Sequence, residues 1–248
     1  MDLERHGEAA ILRMKAGKAN AIDPAFLSGL GGLLDEAQAS GVRALVVTGY
    51  EQFFCAGLDL PRLLPLGRAE IGAFMDDFRV AMLRLFLLPL PVVAAINGHA
   101  VAGGCVIALQ ADVRIMAEGK GRIGLAEVPL GLGLPPVVVE TLRAQVPQSS
   151  LVPIALEGRM LLAGEAQQLG LVHEVVAPDA LIARALEKAK SFAALPAEPV
   201  AQVKAALRRP AADAVRAFSA GDSGRWLDLW FSPRGQESLR AAVARLQR

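Results

Sequence analysis

The spacing of apolar positions changes repeatedly along this chain. Phe26, Leu27, Leu30, Leu33, Leu34 and Ala37 recur every three or four residues, which predicts an amphipathic helix. Asp23-Pro24 supplies its cap and first-turn proline, and Gly41 ends it. Arg43-Ala-Leu-Val-Val-Thr48 is instead short, continuous and β-branched, as a strand buried on both faces should be. Residues 9–14, expected as the first strand, and Val92-Val-Ala-Ala-Ile96 read the same way. Helical spacing returns at Ile71, Phe74, Met75, Phe78, Met82 and Leu85, giving a helix over 69–88 that Pro89 and Pro91 close. A further helix is expected at 103–111, a strand at 113–116, and a strand or strand-like loop at 122–128. From Pro136 onward the pattern is helical, over 137–145, 148–156, 164–169, 180–194, 199–207, 211–229 and 234–246. Strand–strand–helix units recur loosely in the first half, without a fixed period. The expectation is an α/β core over residues 1–190, followed by a helical region, 191–248, that packs across a neighbour.

Composition narrows the function classes. Of 248 residues 53% are hydrophobic, and 24 glycines and 15 prolines punctuate them, so the chain can bury a sizeable core. The net charge is +1 with the two signs mixed, which argues against a nucleic-acid stripe or a polybasic membrane surface. Arg208-Arg209, an adjacent basic pair, reads as a solvated helix end. Cys55 and Cys105 are the only cysteines, so neither a disulfide framework nor a cysteine zinc site is expected. His6, His99 and His173 are scattered, and no metal is expected. The N-terminus lacks the basic-then-apolar order of a secretion signal. The apolar stretch 85–96 is broken by prolines and falls short of the ~20 residues that cross a bilayer. A soluble cytoplasmic protein with no membrane or nucleic-acid partner is the expectation.

Two backbone amides and one carboxylate are the candidates for chemistry. Phe54-Cys-Ala-Gly-Leu-Asp-Leu60 follows a buried strand, and ligands in α/β folds gather beyond strand ends. Gly103-Gly104 opens a helix, whose first N–H groups can face a developing negative charge. If the N–H groups of Ala56 and Gly103 converge, they can hold a carbonyl oxygen as it becomes an enolate. The same glycines also suit plain tight turns. Glu127 lies in Ile123-Gly-Leu-Ala-Glu-Val-Pro-Leu-Gly-Leu132, where apolar neighbours would desolvate it and raise its pKa toward that of a useful base. A surface glutamate in a short loop is the plainer alternative.

Three segments carry a resemblance: Phe54-Cys-Ala-Gly-Leu-Asp-Leu60, Ala95-Ile-Asn-Gly-His-Ala-Val-Ala-Gly-Gly-Cys-Val-Ile-Ala108 and Ile123-Gly-Leu-Ala-Glu127. In this order they resemble the crotonase, or enoyl-CoA hydratase/isomerase, superfamily, and Asn20-Ala21 and residues 158–175 match as well. The resemblance implies a crotonase-type spiral of ββα units with a C-terminal helical trimerisation region, assembling as a homotrimer or dimer of trimers. It implies an acyl-CoA thioester as substrate, with no separate cofactor because CoA is part of that substrate. It places the amides of Ala56 and Gly103 on the thioester oxygen, with Gly57, Leu58, Asp59, Leu60, Gly104 and Val106 in the binding site. Hydratases of the family use two glutamates, and the first of them is replaced here by Val106. One remaining base, Glu127, suits moving a double bond from C3 to C2 better than adding water. The single glutamate and the ending, residues 231–246, are similar to Δ3,Δ2-enoyl-CoA isomerases. In the alternative, a hydratase-type lyase, Asp76, Asp77 or the tail supplies the second acid. A non-catalytic acyl-CoA binder is the third possibility.

Other residues read as structural. His99 suits packing or hydrogen bonding, Cys55 and Cys105 small buried filler, and Asp59 a loop-fixing side chain. Asp112 is expected to close a helix–strand turn. Gly131-Leu-Gly133 lacks the third glycine of a dinucleotide fingerprint. Trp226 and Trp230, one turn apart, are expected to be buried in the helical tail or an interface.

Overall fold

The computed structural model describes residues 1–218 and 220–246. Strands β1 (Asp2–His6) and β2 (Ala9–Arg13) form an antiparallel hairpin turned at Gly7, whose φ of +73° suits glycine. There follow α1 (Pro24–Ala39), β3 (Ala44–Thr48), β4 (Phe53–Cys55), α2 (Leu60–Leu63) and α3 (Arg68–Phe86). Next come β5 (Val92–Ile96), β6 (His99–Val101), α4 (Gly103–Leu109), β7 (Val113–Ala117), β8 (Ile123–Gly124) and α5 (Pro136–Gln145). The chain ends with α6 (Ala163–Gln168), β9 (Glu174–Val176), α7 (Leu181–Ala193), α8 (Ala197–Ala217), α9 (Ala220–Trp230) and α10 (Pro233–Leu246).

Six strands form one sheet in the order β1-β2-β3-β5-β7-β9, parallel except for β1. A smaller parallel sheet holds β4-β6-β8. Three times in succession the chain passes from a strand of the large sheet to one of the small sheet and then into a helix. This is the expected ββα spiral. The central strands are buried on both faces, as their continuous apolar runs require. Leu45 and Val47 of β3 join the main core, while Ala44 and Val46 pack with Leu181, Ala185 and Ala189 of α7.

Four differences from the sequence expectation have physical causes. The first strand is β1, which precedes the predicted one; as an edge strand it needs backbone pairing more than apolar alternation. Residues 148–156 split into a 3₁₀ turn, Gln148–Ser150, and a wider turn, Val152–Leu156, that contains Pro153. Helix α8 continues through Pro210, where a break was expected. It is anchored from below: Lys204 Nζ donates to Leu90 O (2.6 Å) and to Asp112 Oδ2 (2.7 Å). Arg208 donates to Phe86 O, to Gln110 O (2.8 Å) and to Asp112 Oδ1 (2.6 Å), and lies 4.3 Å from the Phe86 ring centre. Arg208 is therefore buried, at 5% exposure, and not a solvated helix end. Within the tail, Trp230 and Leu239 sink into the chain's own core, in the cluster that holds Phe78 and Val106. The expected boundary at residue 190 falls inside α7.

Candidate active site

After β4 the chain runs alongside residue 22. Ile22 N donates to Gly57 O (2.7 Å) and Asp59 N donates to Ile22 O (2.9 Å). Successive residues of extended chain face opposite ways, so the Leu58 N–H points away from this pairing. It has no acceptor among the described residues. The Ala56 N–H, by contrast, donates to Ala19 O at 3.0 Å. Asn20 holds that turn: its Oδ1 accepts from Ala16 N (2.8 Å) and its Nδ2 donates to Met14 O and Phe54 O. The Ala56 amide is thus already used, and the free donor in this loop is Leu58, two residues on. This corrects the expectation drawn from the resemblance.

The second donor stands at the start of α4. Ala102 has φ +49° and ψ −115°, a strained conformation for alanine. Its amide donates to Gly124 O (2.8 Å), leaving the Gly103 N–H at the first helical position without an acceptor among the described residues. A β-carbon built at Gly57 would lie 3.3 Å from Gly103 N, and one at Gly103 would lie 3.7 Å from Gly57 C. The two backbones touch, and the free amides of Leu58 and Gly103 are neighbours. Gly104 serves close packing alone, because a β-carbon there would sit 2.1 Å from Cys55 O. A β-carbon at Gly103 comes within 3.0 Å of the movable Ile22 Cδ1 alone, at 2.8 Å, and touches the Gly57 backbone at ordinary contact distance. Gly104→Ala should therefore cost more stability than Gly103→Ala, by about 1–3 kcal/mol. Thermal melts of the two variants check this ordering, and equal midpoints would contradict it.

Leaving β8, the chain places Glu127 at the head of a tight turn, where its carbonyl accepts from Leu130 N and Leu132 N, both at 3.0 Å. The side chain borders a cavity of about 300 Å³ whose wall also includes Ala56, Leu58, Leu60, Gly103 and Val106. Its Oε2 has neither solvent contact nor a hydrogen-bond partner. Burial pushes its pKa up to about 7, against a smaller lowering by a bond to its own backbone. Glu127 is the only carboxylate in that wall among the described residues, and the Val106 position beside the glycines is apolar and 1% exposed.

The remaining candidates lie elsewhere. Gly57 and Gly104 stand behind the wall, and Asp59 caps α2 through Arg62 N (3.3 Å). Asp76 and Asp77 occupy the exposed face of α3, away from the cavity. His99 accepts from Arg122 N (3.3 Å) and packs against Phe53, outside the wall. Burial pushes the Cys55 thiol up to about 12 and raises Cys105 also, so neither is a ready nucleophile. Trp226 and Trp230, expected from sequence to be buried in the helical tail or an interface, are part of the cavity wall. Their one-turn spacing signalled a shared face but not what that face covers.

The model of the family described as enoyl-CoA hydratase/isomerase matches residues 5–242. The crystal structure of human mitochondrial Δ3-Δ2-enoyl-CoA isomerase superposes with a TM-score of 0.94 at 27% identity, covering 99% of this chain and 97% of that one. A Thermus thermophilus protein named putative enoyl-CoA hydratase is 36% identical over 78% of this chain and 76% of its own length. The short-chain-enoyl-CoA hydratase of Clostridium acetobutylicum is 34% identical over 77% and 74%. These names divide between two activities, both on enoyl-CoA.

Proposed function

Since the chain belongs to the enoyl-CoA hydratase/isomerase family, we propose that it converts a 3-enoyl-CoA to the 2-enoyl-CoA with Glu127 as its sole acid–base group. The observation that carries this reading is a lone carboxylate, facing a cavity with two free amides and an apolar Val106 where a second glutamate would stand. The thioester oxygen fits beside the N–H groups of Leu58 and Gly103. Glu127 as carboxylate takes a proton from C2, acidified by the thioester and the adjacent alkene. The electron pair delocalises into a dienolate whose oxygen the two amides stabilise. Glu127 then returns the proton at C4, leaving the double bond between C2 and C3 and regenerating the carboxylate.

Hydration is the competing reading, because several relatives carry hydratase names. Adding water needs a group to orient the water and a base to deprotonate it. Val106 offers neither a donor nor an acceptor side chain. Purified protein should therefore shift the double bond of 3-hexenoyl-CoA faster than it adds water to crotonyl-CoA. The opposite ranking would assign the protein to the hydratases. With the base ionising near 7, kcat/KM for isomerisation should climb with pH through about 7 and level off above it. A profile flat from pH 5 to pH 9 would contradict a buried glutamate base.

A further inference from the structure

A second cavity, of about 360 Å³, adjoins the first and lies among α3, α5, α8 and α9. Gly72, Val137 and Val215 contribute to its wall, and Asp76, Arg79 and Arg216 bring charge to it. Met75, Pro135 and Trp226 belong to the walls of both cavities. They separate the site of Glu127 from a chamber that the chemistry does not use.

Trp226 is held firmly in that partition. It is 8% exposed, its indole N–H donates to Gly133 O at 3.0 Å, and its ring lies 5.3 Å from that of the fully buried Trp230. Met75 is the softer part, an unbranched thioether able to change rotamer. The first cavity is otherwise walled largely by apolar side chains such as Phe78, Leu132 and Val138, which suits hydrocarbon. Arg79 and Arg216 pair with Asp76 (3.5 Å) and Asp213 (3.1 Å), so the charged part of the second chamber is internally compensated. Its uncharged walls are free to take methylene groups.

We propose that Trp226 and Met75 form the end wall of the acyl pocket and limit the length of acyl chain it accepts, with the second chamber as the space this wall denies. The inference rests on the acyl-CoA reading of the site. A chain that fits the first cavity buries each methylene for about a fourfold gain in affinity. One that reaches the wall gains nothing from further carbons.

The test measures binding of hexanoyl-CoA and tetradecanoyl-CoA by calorimetry, so that no turnover is needed. Trp226→Ala should raise the affinity ratio of tetradecanoyl-CoA to hexanoyl-CoA by at least about tenfold, the gain from two buried methylenes. Met75→Ala should move it in the same direction and decides the matter if the first variant does not fold. Gly72→Leu provides the counter-test, because residue 72 borders only the second chamber. A β-carbon there meets only Leu227 Cδ1, at 3.6 Å, so the site has room for a side chain. Added to Trp226→Ala, it should cancel the gain.

Ratios unchanged within twofold in the folded variants would overturn the wall, as would a gain that survives Gly72→Leu. Wild-type protein that already binds tetradecanoyl-CoA with the full per-methylene gain would also overturn it. In those cases hexanoyl-CoA still binds and the proposed activity stands. If no acyl-CoA binds any form, the acyl-CoA reading itself fails and the wall with it.

Discussion

Glu127→Gln should abolish isomerisation while making the protein more stable at neutral pH. An acid–base group acting alone contributes about 10²–10⁴-fold, and no other carboxylate stands in this wall among the described residues to replace it. The expected loss in kcat is therefore at least about a hundredfold. Activity of the glutamine variant within tenfold of wild type would remove Glu127 from the mechanism. The stability effect follows from the same burial. Glu127 ionises near 7 in the folded protein, against 4.5 for the unperturbed group. Between those values the folded state holds a proton that the unfolded state has lost, so wild-type stability falls as pH rises through this window. The penalty is full above about 7 and absent below about 4.5. Glutamine carries no charge and escapes it. Its advantage should grow from pH 4.5 to pH 7, reach on the order of 3 kcal/mol, and then stay constant. Thermal midpoints of both proteins across pH read this directly. An advantage largest in acid would show that the carboxyl is not desolvated.

Asp112→Ala should be among the most destabilising single changes in the chain. Asp112 accepts from Val92 N (2.7 Å), tying the first residue of β5, and also receives both Lys204 and Arg208. The two cations have side chains only 8% and 6% exposed. Removing the carboxylate leaves them buried among carbonyl oxygens, without a counter-charge on Asp112. Breaking such an arrangement costs about 3–5 kcal/mol. In a chain of this size that is a fall of roughly 6–20 °C in thermal midpoint. Burial already brings the Lys204 pKa down to about 8 from 10.5, against the opposing pull of Asp112. Without that pull it should fall further, and the unfolded state then binds the extra proton over a wider range. Stability of the variant should therefore recover relative to wild type as pH rises to about 8, above which both proteins gain stability in parallel. A loss under about 1 kcal/mol would mean that both cations reach water unaided.

Much of the scaffold was legible because local patterns and tertiary burial agree. β3 and β5 are continuous apolar runs, and the structure buries both of their faces. The Asp23-Pro24 start of α1 is realised, with the Asp23 side chain accepting from Phe26 N at 2.7 Å. Glu127 was legible in part: Ala126, Leu130 and Leu132 among its sequence neighbours share its apolar wall, while Leu58, Val106 and Trp230 reach it from distant segments. Arg208 was not, because its partners lie far along the chain, at Phe86, Gln110 and Asp112. A polar side chain signals solvent locally, whatever buried acceptors the fold later brings to it. α8 passed through Pro210 under the same distant anchoring.

The oxyanion donors show where sequence stops. The two glycine-bearing motifs, Glu127 and the apolar Val106 are facts of the sequence, and the proposed chemistry is built on them. Which amide of Ala56-Gly57-Leu58 is free depends on the pairing of residues 57–59 with Ile22 and on the turn at Ala19, more than thirty residues away. Strand pairing consumes alternate amides, so a shift of one residue exchanges the used donor for the free one. Only the tertiary structure set that register, and it also decided that Trp226 and Trp230 close their own chain's pocket. Helical periodicity says that two side chains share a face, but what they cover depends on where the preceding loop delivers the helix.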